Sequence, residues 1–374
     1  MSKVSFVPVN KPLLNGNEKK YLIECIETGW ISSEGPFVDK FELNFARLVN
    51  RKHAIAVTNG TSALDAAIES LNIEPGDEVI LPAFTIISCV NQIIRKGAKP
   101  VLVDSNPLTW NMDVSQIESK ITSNTKAIMI VHIYGLPVDI DPVIEIARRH
   151  NLKVIEDAAE MHGQKYKSRP CGSFGDISTF SFYPNKHITT GEGGMIVTDN
   201  DEIAETCRSL RNLCFQANKR FVHERLGWNL RMSNIQAAVG LAQLERLDTF
   251  VDHKRVMGKK YTELLSNLSN VQLPLESTDY AENIYWVFGI VLSGDKNLNA
   301  DVVMKKLQAK GVGTRPFFCP MHLQPVLINM GLFNGESYPV AESLYQNGFY
   351  IPSGMDLTED EINHVTKSII EVLS

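Results

Sequence analysis

The sequence predicts an α/β fold: a mainly parallel, seven-stranded central sheet with helices on both faces, followed by a smaller C-terminal α+β domain. Three observations carry this. Short β-branched runs alternate with helical patterns through the first two thirds of the 374 residues. The strand segments are built on short apolar runs, as expected of strands buried on both faces. Beyond about residue 255 the alternation gives way to mixed elements. A single core seldom serves much more than about 250–300 residues, so two units are expected, at 1–250 and 251–374.

The candidate strands are 53–58, 78–82, 100–104, 127–134, 153–157, 177–183 and 194–198. Helical segments at 62–71, 142–150 and 201–213 lie between several of them. Asp141 followed by Pro142 reads as an N-cap with proline at the first helical position. Residues 234–250 read as one long helix bridging to the second unit, with Ile235, Val239, Leu241, Leu244 and Leu247 at helical spacing. The second unit then offers a helix from about 255, a strand at 285–292 and a helix at 300–310. A Pro-rich loop at 315–325 and a final helix at 359–373 complete it.

Composition excludes several functions. The hydrophobic content of 44% and charged content of 21% are those of a soluble globular protein. A net charge of −6 without basic clusters argues against nucleic-acid binding. No apolar run is long enough to span a membrane, and the N-terminus lacks a signal peptide, so a cytoplasmic location is expected. Cys25, Cys89, Cys171, Cys207, Cys214 and Cys319 are scattered without a C-x-x-C pair. That spacing suits reduced thiols and no metal site.

One segment carries most of the chemistry. Phe180-Ser181-Phe182-Tyr183-Pro184-Asn185-Lys186 leaves an apolar strand and runs into Thr189-Thr190-Gly191-Glu192-Gly193-Gly194. A lysine so placed can be aimed into a cleft and partly desolvated, which makes its amine a nucleophile. Asp157 ends another apolar strand, at the carboxyl edge of the sheet; Glu156 points to the opposite face of the pleat. Asn59-Gly60-Thr61-Ser62 follows a strand and opens a helix, where free N–H groups and hydroxyls form a natural phosphate cradle. Each has a plain structural alternative: a surface lysine, a capping carboxylate, an ordinary N-cap. Their combination matches what pyridoxal phosphate needs, a Schiff-base lysine and a carboxylate facing the pyridinium nitrogen. His162 and His187 read as packing or locally hydrogen-bonded residues.

In this order, the segments Gly29-Trp30-Ile31-Ser32-Ser33, Asn59 to Leu64, Pro75-Gly76-Asp77-Glu78-Val79, Glu156 to Glu160, Ser181 to Gly194 and Asn229 to Asn234 resemble the DegT/StrS-type nucleotide-sugar aminotransferases. The resemblance implies the fold-type-I pyridoxal phosphate architecture, with Lys186 as the Schiff-base lysine and Asp157 as partner of the ring nitrogen. Gly60, Thr61, Ser62, Ala159, Glu160 and Ser181 would complete the cofactor site. Asn229 would reach the phosphate bound by the other subunit of a homodimer. Many relatives carry an aromatic residue where this chain has Ile86, which leaves Phe84 as the candidate to stack on the ring. Trp30, Ser32, Tyr183, Arg231, Phe317 and His322 are expected on the substrate side. The implied donor is L-glutamate. The implied acceptor is a nucleotide-linked 4-keto-6-deoxy sugar, GDP-4-keto-6-deoxymannose ahead of UDP- and dTDP-linked ones. A dehydratase on the same scaffold carries His at the position of Lys186, so the lysine favours transamination. A catalytically silent binding protein of this fold is the alternative from another class. A nicotinamide enzyme lacks support, because no G-x-G-x-x-G follows the first strand.

Overall fold

The structure, a computed structural model, describes residues 6–216, 218–293 and 298–374. Its strands are β1 (His53–Val57), β2 (Glu78–Pro82), β3 (Lys99–Val103), β4 (Thr125–Val131), β5 (Lys153–Asp157), β6 (Lys165–Tyr166), β7 (Arg169–Pro170), β8 (Ile177–Ser181), β9 (Gly194–Thr198), β10 (Val271–Gln272), β11 (Phe288–Leu292), β12 (Arg315–Pro316) and β13 (Gly348–Ile351). Its α-helices are α1 (Glu18–Thr28), α2 (Pro36–Leu48), α3 (Gly60–Ser70), α4 (Ser88–Arg95), α5 (Ile140–His150), α6 (Asp201–Arg211), α7 (Asn234–Leu244), α8 (Leu247–Leu265), α9 (Ala300–Ala309), α10 (Pro325–Asn329), α11 (Pro339–Asn347) and α12 (Glu359–Leu373).

Seven strands form the large sheet in the order β1-β9-β8-β5-β4-β2-β3. Only β9 runs against the rest, antiparallel to both β1 and β8. Side chains alternate across the pleat and feed two apolar layers. Ile128 and Ile130 of β4 join Phe41, Phe45 and Val143 of α2 and α5. Ala127 and Met129 join Leu64, Ile93 and Cys207 of α3, α4 and α6 on the other face. Both faces are covered, which is why the strands read as apolar runs.

The second sheet is antiparallel, β10-β11-β13-β12, and packs on α8, α9 and α12. Val7 and Val9 near the N-terminus hydrogen-bond beside this sheet. Gly313 N–H donates to the Val7 carbonyl, and Ser353 N–H to the Val9 carbonyl, each at 2.8 Å. All six cysteines are unpaired. Among the described residues no helix is long and apolar enough to cross a membrane.

Several boundaries differ from the sequence reading, each for a local reason. β4 stops at Val131 because the Ile133 N–H turns to Asn111 Oδ1 and Tyr134 adopts a left-handed φ of 58°. β8 stops at Ser181, three residues before Pro184, which has no N–H to continue a ladder. The expected long helix is broken at Glu245-Arg246, where Glu245 accepts from Asn17 and Tyr21 at 2.7 and 2.5 Å. α5 begins at Ile140, so Asp141 lies inside the first turn and pairs with Lys167 instead of capping.

Lys254 on α8 is fully buried, and its Nζ donates to the Trp286 carbonyl at 2.9 Å and to the Ser353 carbonyl. Two acceptors suit the two N–H groups of a neutral amine, and burial lowers its pKa from 10.5 to about 7. Between those values the unfolded chain binds the extra proton, so this residue's penalty is full below pH 7 and is relieved as pH rises toward 10.5. Denaturant titrations from pH 7 to 10 should therefore show wild type gaining stability relative to Lys254→Met. Parallel pH profiles would contradict this.

Candidate active site

Parallel strands finish on one edge, so the loops after β1, β2, β5 and β8 emerge side by side. They enclose a cavity of about 730 Å³. The loop after β2 contributes Thr85, Ile86 and Ser88; β5 contributes Asp157, Ala159 and Glu160. β8 and its turn contribute Thr179, Ser181, Tyr183, Asn185 and Lys186, and later segments of the chain add Trp286, Phe318 and Tyr350.

The phosphate-cradle segment forms the fourth wall. Asn59 caps α3, its Oδ1 accepting the Ser62 N–H at 2.8 Å, which leaves the N–H groups of Gly60 and Thr61 without helical partners. A Cβ on Gly60 would lie 2.8 Å from Ser181 Cβ, and one on Gly194 would lie 2.4 Å from the Asn59 carbonyl oxygen. Glycine at both positions lets the turn lie directly on β8 and β9. The Thr61 and Ser88 hydroxyls are 2.8 Å apart. Thr179 and Ser181, two residues apart on one strand, share the face toward the cavity. The buried Thr179 hydroxyl has no hydrogen-bond partner among the described residues.

Lys186 stands opposite this cradle. Its N–H closes a turn on the Tyr183 carbonyl at 2.9 Å. Its amine is buried 3.8 Å from Glu160 Oε1 and 3.7 Å from the centroid of the Trp286 ring, whose Nε1–H donates to the Asn185 carbonyl at 2.8 Å. Burial lowers the amine's pKa below 10.5, against the opposite pull of Glu160 and Asp157. Burial also raises Glu160 to about 8, although Lys186 and the Tyr134 N–H, 2.5 Å from Oε2, favour its charged form. Asp157 is raised from 3.8 by burial too, opposed first by the Ala159 N–H that reaches Oδ1 at 3.0 Å. A desolvated amine flanked by acids is a nucleophile that can also carry a proton.

The profile of the DegT/DnrJ/EryC1/StrS aminotransferase family matches residues 12–370. The chain belongs to that family. It is 44% identical to the GDP-perosamine synthase of Caulobacter vibrioides over the full length of both chains. To the GDP-perosamine synthase of Escherichia coli O157:H7 it is 42% identical, over 99% of this chain and 100% of the relative. The crystal structure of S. venezuelae DesV in complex with a ketimine intermediate matches with a TM-score of 0.91 at 31% identity, covering 98% of each chain. Its fold and enzyme class are those of a sugar aminotransferase.

Pyridoxal phosphate, the cofactor the resemblance implies, fits the groups in this cavity. An amine and a carboxylate are available for the aldehyde carbon and the ring nitrogen. The hydroxyls of Thr61, Ser62 and Ser181 and the start of α3 suit a phosphate. The unpartnered Thr179 hydroxyl is a buried donor that a ligand acceptor would satisfy.

Of the family-derived candidates, Gly60, Thr61, Ser62, Asp157, Ala159, Glu160, Ser181, Tyr183 and Lys186 line the cavity. The others do not. Phe84 and Phe317 are buried in an aromatic cluster with Tyr134 and Trp110, while their neighbours Thr85 and Phe318 face the cavity. The chain direction at these two loops turns the adjacent residue inward. His322 bonds Glu342 at 3.0 Å and packs on Tyr338. Trp30 is exposed, and its carbonyl accepts from Asn234. Asn229 is exposed and bridged to Asn212. Ser32 and Arg231 line a separate polar cavity of about 680 Å³ with Arg208, Arg211 and Arg220; Arg231 donates to Asn212 Oδ1 at 2.7 Å. Thr179, Ser88 and Tyr350 escaped the sequence reading. Only Thr179 had a signal, its two-residue spacing from Ser181.

One buried cluster, which reaches the cavity wall only through His132, is structural. His132 Nδ1 accepts the Val138 N–H at 3.0 Å, so its other nitrogen carries the proton toward Glu156, 3.1 Å away. Glu156 also accepts from Gly172 N–H, Phe174 N–H and the Ser178 hydroxyl at 2.6, 3.0 and 2.9 Å. Cys171 lies beside them. The carboxylate pins the loop before β8, and the donors around it occupy its oxygens.

Removing the carboxylate beside Lys186 should push the amine further toward neutrality. In cofactor-free protein, acylation of Lys186, read by peptide mass spectrometry, should have its pH midpoint at lower pH in Glu160→Gln than in wild type. An unchanged or higher midpoint would show that Glu160 does not hold the amine's charge.

Proposed function

We propose that the protein is a pyridoxal phosphate-dependent aminotransferase. It moves the amino group of L-glutamate to C4 of a nucleotide-linked 4-keto-6-deoxy sugar, with GDP-4-keto-6-deoxymannose as the favoured acceptor and GDP-perosamine as product. Lys186 and Asp157 facing one cavity beside the α3 cradle is the observation that carries this reading. The relatives over the full chain favour the GDP-linked sugar.

Bound pyridoxal phosphate supplies the electron sink that holds the amino group between the two half-reactions. The rest falls to this chain's own residues. Lys186 would hold the cofactor at rest, and its amine, once free, would take the proton from the donor's α-carbon. Glu160 sets the charge on that amine between turnovers. Asp157 keeps a proton on the ring nitrogen. The α3 cradle with Thr61, Ser62 and Ser181 anchors the phosphate, and Trp286, Tyr183 and Tyr350 wall the side open to substrate. The donor would leave as 2-oxoglutarate, and in the second half-reaction the Lys186 amine would deliver a proton to C4 of the sugar. A second copy of the chain would bring its Asn229 to the phosphate, which makes a homodimer the working form, and the enzyme would act in the cytoplasm.

Lys186→Ala should cut turnover by about 10³-fold or more, measured as glutamate-dependent amination across GDP-, UDP- and dTDP-linked 4-keto sugars. Retained turnover would refute the role of Lys186. Product formed by wild type without glutamate would favour dehydration, and faster amination of UDP- or dTDP-linked sugars would overturn the GDP choice.

A further inference from the structure

Asp157 has a second partner that neither the family resemblance nor the proposed reaction includes. Cys89, in the first turn of α4, is fully buried, with Sγ 3.5 Å from Asp157 Oδ2 and 3.2 Å from Thr85 Oγ1. The other carboxylate oxygen accepts from Ala159 N–H. A thiol has one proton, and burial beside Asp157 holds that proton on sulfur. The donor order is then fixed: the Thr85 hydroxyl donates to Sγ, and Cys89 donates to Oδ2. Thr85 itself lines the cavity. A hydrogen-bonded file thus runs from the cavity wall behind the carboxylate, ending in the weakest common side-chain donor.

We propose that Cys89 is a positioning residue that sets how strongly Asp157 holds a proton on the cofactor's ring nitrogen, through a deliberately weak S–H···O bond. This rests on the functional reading above. A hydroxyl at the same place would bond the carboxylate more strongly and draw charge from it, whereas an alanine would leave the carboxylate its full basicity. A serine and an alanine therefore shift the ring nitrogen in opposite directions, which loss of packing alone cannot do. The titratable and charged groups facing Asp157 are Lys186, Glu160, His132 and Cys89, and both substitutions leave the other three in place.

Two measurements test this. In cofactor-free protein, the infrared difference between wild type and Cys89→Ala should show a thiol stretching band displaced to low frequency by a hydrogen bond. A band at the frequency of a free thiol would overturn the proposal, whatever the protein's activity. With ¹⁵N-labelled pyridoxal phosphate bound, the ring-nitrogen resonance of Cys89→Ser should move toward the deprotonated value, and that of Cys89→Ala toward the protonated value. Unchanged or same-direction shifts in the two variants would overturn the tuning role. Failure of the wild-type protein to take up the labelled cofactor would sink both the functional reading and the tuning, while a displaced thiol band would still establish the Cys89–Asp157 bond.

Discussion

Burying an amine together with two carboxylates costs free energy, because each charge loses water that its neighbours only partly replace. In this protein Lys186, Glu160 and Asp157 share that situation at the carboxyl edge of one sheet, and the architecture is arranged around it. Burial drives the amine toward its neutral form and both acids toward their protonated forms. The amine therefore releases its proton more readily while the acids retain theirs, which is the condition under which an amine attacks a carbonyl carbon and a neighbouring acid can donate a proton.

Holding such a cluster in place requires rigid surroundings. Below the cavity, Glu156 gathers two backbone N–H groups, a hydroxyl and His132, and so fixes the loop that delivers β8. Above it, Lys254 ties α8 to the carbonyls of Trp286 and Ser353, and Trp286 lies over the Lys186 amine. The two buried lysines are a useful contrast. Both are pushed toward neutrality by burial, yet Lys254 is bound to two carbonyls away from the cavity, while Lys186 lines it. Reactivity follows from the open space in front of the amine as much as from its pKa.

The sheet, the strand that ends in Asp157, the α3 turn and Lys186 were legible in the sequence because local pattern determines them. Apolar runs of five or six residues mark strands buried on both faces, and a polar residue at such a strand's end must emerge at its edge. Residues on irregular loops were not legible. Phe84 and Phe317 fell into the apolar cluster, and their neighbours faced the cavity, because no fixed period governs side-chain direction outside strands and helices. The break at Glu245-Arg246 was invisible for another reason: it comes from Tyr21 on α1 and Asn17 just before it, more than 200 residues earlier. Trp286 is far from Lys186 in the chain, and its place over that amine comes from tertiary packing that no local pattern reveals.

The central claim is that, of all the amines in this chain, the one at position 186 alone joins covalently to the coenzyme's aldehyde. Incubating the purified protein with pyridoxal phosphate, reducing with borohydride and mapping the modified peptide tests it directly. The account predicts one stable phosphopyridoxyl adduct, on Lys186. An adduct on Lys254 or on a surface lysine, or none at all, would contradict it.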